Sequence, residues 1–418
     1  MSAHEPLSRL ARWMIIPALC LAMALPGCRA RDEGKIRITI WHQDRIDVRV
    51  ILQRQIERFM KLHPEVSVEQ LFKETEQLRS GFIIAALAGQ GPEIVYGPSD
   101  QIGLFQTMQI IVPLESVFDT AWLAQYDGRA MTWYNGHLYQ VADKLGNHLT
   151  LVYNKKLVPV PPTTDVELVE IGTKLSTGQD GRPSGLYGLA WNYTEPFFFI
   201  PFLTGFGGWI MDAEGNPTLD NRGTIDGLKF IRDLRDRYKI IPNEADYEIA
   251  DLLFKDGKAG MIINGDWSWA GYQKAGIDFG VAPLPKITST GLWCGTMVSP
   301  KGFSINVNVP AEKRHWVTEL IRYLMSEENQ LEATRELYTM PTNLRVRGSA
   351  FVQQNDILRN SQIAIEHGRP MPVVPQLRAI WDAMRPSYQA VLAGTKTAEE
   401  AARDMQIQAA ERIKEMNE

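Results

Sequence analysis

The chain has 418 residues, a formal net charge of −5, 44% hydrophobic residues and 22% charged ones. That length predicts two or three domains, and the near-average composition excludes a disordered chain and an integral transporter. The acidic balance argues against a nucleic-acid binder working through a basic surface, and three cysteines are too few for a disulfide scaffold.

At the start, Arg9 and Arg12 precede an uncharged, mostly apolar run from Trp13 to Pro26, shorter than the roughly 20 residues a membrane-spanning helix needs. This order predicts a secretory signal peptide over 1–27. Leu25-Pro26-Gly27-Cys28 resembles a bacterial lipobox, in which cleavage before the cysteine leaves it lipid-modified. Pro26 is a less usual residue there, and plain cleavage nearby, releasing a soluble exported protein, is the alternative. Several acyl chains on Cys28 would anchor the protein firmly, whereas one chain binds membranes only marginally. Cys294 then lacks a partner within the chain, and is expected to be a buried, unreactive thiol.

Ile36 to Ile40 alternates with period two and predicts a strand. Val48, Ile51, Leu52, Ile56, Phe59 and Leu62 share one helical face, which His63-Pro64 ends, and Val66-Ser67-Val68 predicts the next strand. Strand, helix, strand is one parallel crossover unit. A helix over Phe82–Ala88 and a strand over Ile94–Tyr96 follow. Later helices are predicted over Thr224–Tyr238, Ala311–Met325 and Thr397–Met416. Val158 to Pro162 is a stiff extended linker, Gly178 to Gly185 a polar loop, and no repeat or low-complexity block interrupts the α/β pattern.

Enzyme signatures are sparse. Gly257-Lys258 lacks the upstream glycine and following hydroxyl of a phosphate loop, and no dinucleotide fingerprint is complete. The seven histidines are scattered, so no metal site is expected. Gly97-Pro98-Ser99 ends at Gln101 rather than completing a nucleophile elbow. A pair of carboxylates across a cleft, as a glycosidase requires, stays open.

Three segments instead combine tryptophan with charge: Trp191 to Phe197, Asn264 to Trp269, and Trp381 to Arg385. Each stands at a predicted element boundary, where α/β scaffolds meet ligands. Aromatic rings can cover the C–H face of a sugar while carboxylates and arginine bond its hydroxyls. Trp381 and Arg385, at i and i+4, share a helical face. Each segment also has a plainer reading: core packing for the tryptophans, a helix cap before Trp267 for Asp266, and a solvated turn for Glu195.

At these segments the chain resembles the extracellular solute-binding proteins of carbohydrate ABC importers, in the maltose/maltodextrin-binding branch. The likeness runs through Gly91-Pro92-Glu93-Ile94, Tyr134-Asn135-Gly136, Tyr153-Asn154-Lys155, Glu195-Pro196-Phe197, Asp246 to Trp269, and Met371 to Gln376, in order. It implies a two-lobed, type II periplasmic-binding-protein-like α/β fold, with an N-terminal lobe of 35–145 and 287–340. The C-terminal lobe would be 146–286 and 341–418, and ligand would be held in the cleft between lobes that open on a hinge. It also implies ligand-binding roles for Asp44, Arg45, Asp100, Asn147, Glu195, Phe197, Asp266, Trp267, Trp381 and Arg385. No cofactor, metal or catalytic residue is implied.

The departures carry information too. Gly97 stands where the family's maltodextrin binder has a tryptophan platform, Asn147 where it has a glutamate, Asp382 where it has an aromatic, and Gln101 where it has an arginine. With two aromatic surfaces missing, the resemblance implies a different or shorter carbohydrate than a long α-glucan. The expectation is therefore a monomeric, exported lipoprotein, periplasmic or at the cell surface. It would capture a di- or oligosaccharide and deliver it to ABC importer permease subunits. A phosphorylated polyol in the same fold would need converging cations; a carbohydrate-active hydrolase and a sensor subunit are the remaining alternatives.

Overall fold

The computed structural model describes residues 34–178 and 180–417. The expected leader and Cys28 lie outside the described residues. The chain lays down β1 (Ile36–His42), β2 (Val66–Phe72), β3 (Ile94–Pro98), β4 (Met131–Tyr134) and β5 (His137–Leu145). It then continues through β6 (Leu149–Asn154), β7 (Tyr187–Ala190), β8 (Ala259–Gly265), β9 (Phe279–Ala282) and β10 (Met297–Val298). Last come β11 (Lys301–Ile305), β12 (Met340–Pro341) and β13 (Arg369–Pro370).

Two main sheets result. One has the order β12-β5-β11-β3-β1-β2, with β4 on β5; the other is β7-β8-β6-β9. In the first, β1 pairs parallel with both β2 and β3, as the strand, helix, strand reading predicts. The helix α1 (Ile46–Leu62) buries Val48, Ile51, Leu52, Ile56 and Phe59, because apolar residues recur every three to four positions. The helix α2 (Thr75–Leu87) begins seven residues before the expected Phe82. Its first turns are polar, so periodicity alone did not reveal them. The helices at Arg222–Asp236, Ala311–Leu324 and Ala398–Asn417 match the expected ones to within a few residues.

Each sheet has its own core. Ile38, Ile40, Phe59, Ile94 and Phe303 pack beneath the first; Trp191, Phe199, Phe254, Trp269 and Tyr388 pack against the second. Buried Trp191 donates from Nε1 to the Tyr388 hydroxyl at 2.9 Å, so this tryptophan is core, as the plainer reading had it. The chain passes between sheets at 145–149, again at 298–301, and a third time after β12, since Met371, Leu377 and Tyr388 lie in the second core. Ile287, Cys294 and Met297 lie in the second core. The return to the first sheet therefore comes at Lys301, later than the expected 287, because apolar side chains of 287–297 find their partners on the second sheet.

The first two passages touch. Ser299 N–H donates to Gly146 O at 2.9 Å, Ser99 N–H donates to Pro300 O at 3.1 Å, and the Ser99 and Ser299 hydroxyls are 2.8 Å apart. Gly146 has φ +136 and Asn147 φ +42. A Cβ on Gly146 would stand 2.5 Å from Asp266 Oδ2, so only glycine fits there.

Candidate functional site

A cleft of about 450 Å³ opens between the two sheets, within the ~300–1,000 Å³ range of small-molecule sites. Nine of the ten expected residues line it: Asp44, Arg45, Asp100, Asn147, Glu195, Phe197, Trp267, Trp381 and Arg385. Local folding explains each position. Asp44 and Arg45 fill the short turn between β1 and α1. Trp267 sits in the turn after β8, where Ser268 N–H donates to Gly265 O at 3.0 Å. Trp381 and Arg385 project from one face of the Gln376–Leu392 helix.

Asp266 is the exception. It is buried, does not line the cleft, and does not cap a helix, since the next helix starts at Trp269 after Ser268. Its carboxyl lies against Gly146 at the first passage between sheets. Burial pushes its pKa up to about 6, against the pull of Lys301 and Lys144.

Aromatic and polar groups alternate along the second-sheet wall. Phe197 and Trp267 have ring centroids 6.5 Å apart. Trp267 Nε1–H donates to the Tyr247 hydroxyl at 3.1 Å, and the Arg45 guanidinium lies 4.1 Å over the Tyr247 ring. Trp381 is buried in the second core, only 8% exposed, and its edge also lines the cleft, so the cleft reading and the core reading both describe it.

The charges are paired. Lys301 binds Asp44, whose burial would raise its pKa but whose lysine neighbours hold it down at about 2. Arg385 Nη2 donates to Glu195 Oε2 at 3.0 Å and Arg385 Nη1 to Asp382 Oδ1 at 3.2 Å, so Glu195, still partly exposed, is held in an ion pair. Arg378 reaches Glu76 at 2.7 Å and Asp382 at 3.0 Å. Arg79 lies 3.2 Å from Glu76 and 3.8 Å from Asp100. Burial raises the Asp100 pKa, with Arg79 opposing. Every lining cation thus already faces a carboxylate, Arg45 pairing with Glu248 at 2.9 Å.

The departures noted in the sequence have local explanations. The Gln101 amide lies 3.3 Å from where a Cβ of Gly97 would be, and Gln140 Nε2 donates to Gly97 O at 3.0 Å, so amides cover this spot. Asp382 ties Arg378 to Arg385 along their helix.

Sequence reasoning missed Glu76, Arg79, Tyr247, Lys301 and Arg378, all of which line the cleft. Arg378 stands three residues before Trp381 and seven before Arg385, so helical spacing carried its signal. Lys301 carried none, because it meets Asp44 only through strand pairing across the whole chain. Among the described residues no group of His, Cys, Asp or Glu is placed to hold a metal ion. No described helix is long and apolar enough to cross a membrane.

The model of the bacterial extracellular solute-binding protein family matches residues 46–331. The chain belongs to this family. Among similar solved structures is the maltose/maltodextrin-binding domain MalE from Bdellovibrio bacteriovorus bound to maltotriose. This solute-binding protein is 44% identical to it, at TM-score 0.86, over 91% of this chain and 100% of that one. The maltotriose-binding protein of Pyrococcus abyssi is 26% identical over 88% of this chain and 80% of its own. A maltooligosaccharide ABC transporter solute-binding lipoprotein of Streptococcus pneumoniae is 23% identical over 78% of each chain. Its fold is thus the two-lobed type II α/β architecture of maltose-binding proteins.

Proposed function

We propose that this solute-binding protein captures a short, neutral oligosaccharide in the cleft and presents it to an ABC importer, performing no chemistry on it. One observation carries the choice of ligand: all five lining cations are neutralised by carboxylates, while Phe197, Trp267 and Trp381 offer ring faces. A sugar needs aromatic surface and paired, fixed charges for its hydroxyls; a phosphorylated polyol needs unpaired cations. That two relatives are described with maltotriose supports a ligand of that class and size. A trisaccharide also accords with the two missing aromatic surfaces.

The ten residues named from the sequence would act unequally. Trp267, Phe197 and Trp381 would stack, and Asp44, Arg45, Asp100, Asn147, Glu195 and Arg385 would bond hydroxyls. Asp266 would act through the passage beside it. The lobes would be built from the two sheets, pivoting at 145–149, at 298–301 and in the segment after β12. Lipidation at Cys28 would hold the protein at the membrane, in keeping with the pneumococcal relative.

Calorimetric titration tests this reading with maltose, maltotriose, a galacto-oligosaccharide and glycerol phosphate. Maltotriose is expected to bind at micromolar Kd or tighter, about −8 kcal/mol. Binding of glycerol phosphate with silence toward every sugar would overturn it, and turnover of maltotriose would overturn the non-catalytic part.

A further inference from the structure

Two ion pairs at the cleft run from one side of the cleft to the other. Arg45, before α1, meets Glu248 at 2.9 Å; Glu76, on α2, meets Arg378 at 2.7 Å. Arg378 begins a helical face that reaches Arg385 seven residues later, about 10 Å along the axis. Arg385 holds Glu195, the neighbouring Phe197 faces Trp267, and Trp267 bonds Tyr247, beneath Arg45. In this chain of contacts Phe197 and Trp267 come between the two bridges, which terminate it.

We propose that the Arg45–Glu248 and Glu76–Arg378 bridges are end stops that set the maximum length of oligosaccharide the cleft accepts. The proposal rests on the sugar-binding reading above. A ligand short enough to lie between the bridges leaves both intact when the lobes are together. A longer chain places a sugar unit where one bridge stands, and must break it to let the lobes meet. Glu76 is additionally held by Arg79 at 3.2 Å, and Arg378 by Asp382 at 3.0 Å, so that stop is braced from both sides. Arg45 is braced by the Tyr247 ring. Each group is partly exposed, and exposed pairs are weak, so each stop is worth roughly two- to fivefold in affinity.

The test compares maltotriose with maltoheptaose on the full chain, by calorimetry, for the wild type, Glu76→Gln and Glu248→Gln. The ratio of the two affinities is the readout, because a bridge that merely steadies the closed lobes would alter both ligands equally. The wild type is expected to favour maltotriose by at least about twofold, the cost of breaking one stop. Either substitution should reduce that preference at least about twofold. Equal affinities in the wild type, or an unchanged ratio in both variants, would overturn the end stops while leaving sugar binding intact. Failure of the wild type to bind maltotriose at all would overturn the underlying reading with them.

Discussion

The indole N–H of Trp267 and the hydroxyl of Tyr247 are 3.1 Å apart, and this bond fixes the angle of one of the two indoles on the cleft wall. Trp267 comes from the turn after β8 and Tyr247 from the helix Tyr247–Lys255, so the ring is fixed from outside its own turn. Trp267→Ala is expected to weaken maltotriose binding about tenfold or more, given ~1.5 kcal/mol for a good aromatic contact. Tyr247→Phe leaves the ring but strands its N–H, and should weaken binding about threefold to tenfold. Calorimetry on both variants separates the two contributions.

The same ring depends on the absence of a side chain beneath it. A Cβ on Gly265 would stand 2.1 Å from Trp267 Cζ3 and 2.2 Å from Cη2. Gly265→Ala must therefore push the indole out of place. The expected result is an affinity loss comparable to that of Trp267→Ala with the far-ultraviolet circular dichroism retained. Wild-type affinity in this variant would refute the role of Trp267.

Asp266 links stability to pH. Burial lifts its pKa from 3.8 to about 6, so the folded chain holds this proton more tightly than the unfolded one. Its contribution is fully present below pH 4 and is lost as pH rises through 6. Asp44 acts in the other direction: held at about 2, it contributes above pH 4 and loses that contribution as pH falls toward 2. Asp266→Asn removes the ionisation, and is expected to raise the melting temperature at pH 8 by a few degrees while changing it little at pH 4. A shift of about two pKa units corresponds to roughly 3 kcal/mol as an upper bound. Melting curves of both proteins across that range provide the check.

Cys294 is buried, and burial raises its thiol pKa far above the ordinary value. Native protein is expected to leave Cys294 unmodified by iodoacetamide at pH 8, with complete reaction in denaturant, as read by peptide mass mapping. Its Sγ lies 2.7 Å from where a Cβ of Gly205 would stand. Gly205→Ala should therefore destabilise the second lobe by about 1–3 kcal/mol through overpacking, measured by urea unfolding.

What the sequence revealed follows from how local each signal is. The first strand, α1 and the second strand were legible because their apolar residues repeat at periods of two and 3.6. The opening of α2 was not, since Thr75 to Gly81 is mostly polar, and Glu76 and Arg79 were lost with it. The aromatic positions were found through motifs standing at strand ends. Asp266 was read as a cleft residue, with a helix cap as the plainer alternative, because an acid beside tryptophan precedes a helix there; a turn through Ser268 intervenes and the carboxyl turns inward. The end of the long excursion through the second sheet was placed too early, because Ile287 and Met297 look equally apolar whichever sheet they join.

The hydrogen bonds that tie Ser299 to Gly146 and Ser99 to Pro300 and Ser299 have a mechanical consequence. Two strands fastened side by side make a flat strap, which bends readily about one axis and resists twisting about the others. On the hinge proposed above, such a strap would favour opening about one axis, so that the gape of the mouth would be the coordinate that changes most. A membrane partner that touches both halves need only gauge that width to distinguish a loaded carrier from an empty one.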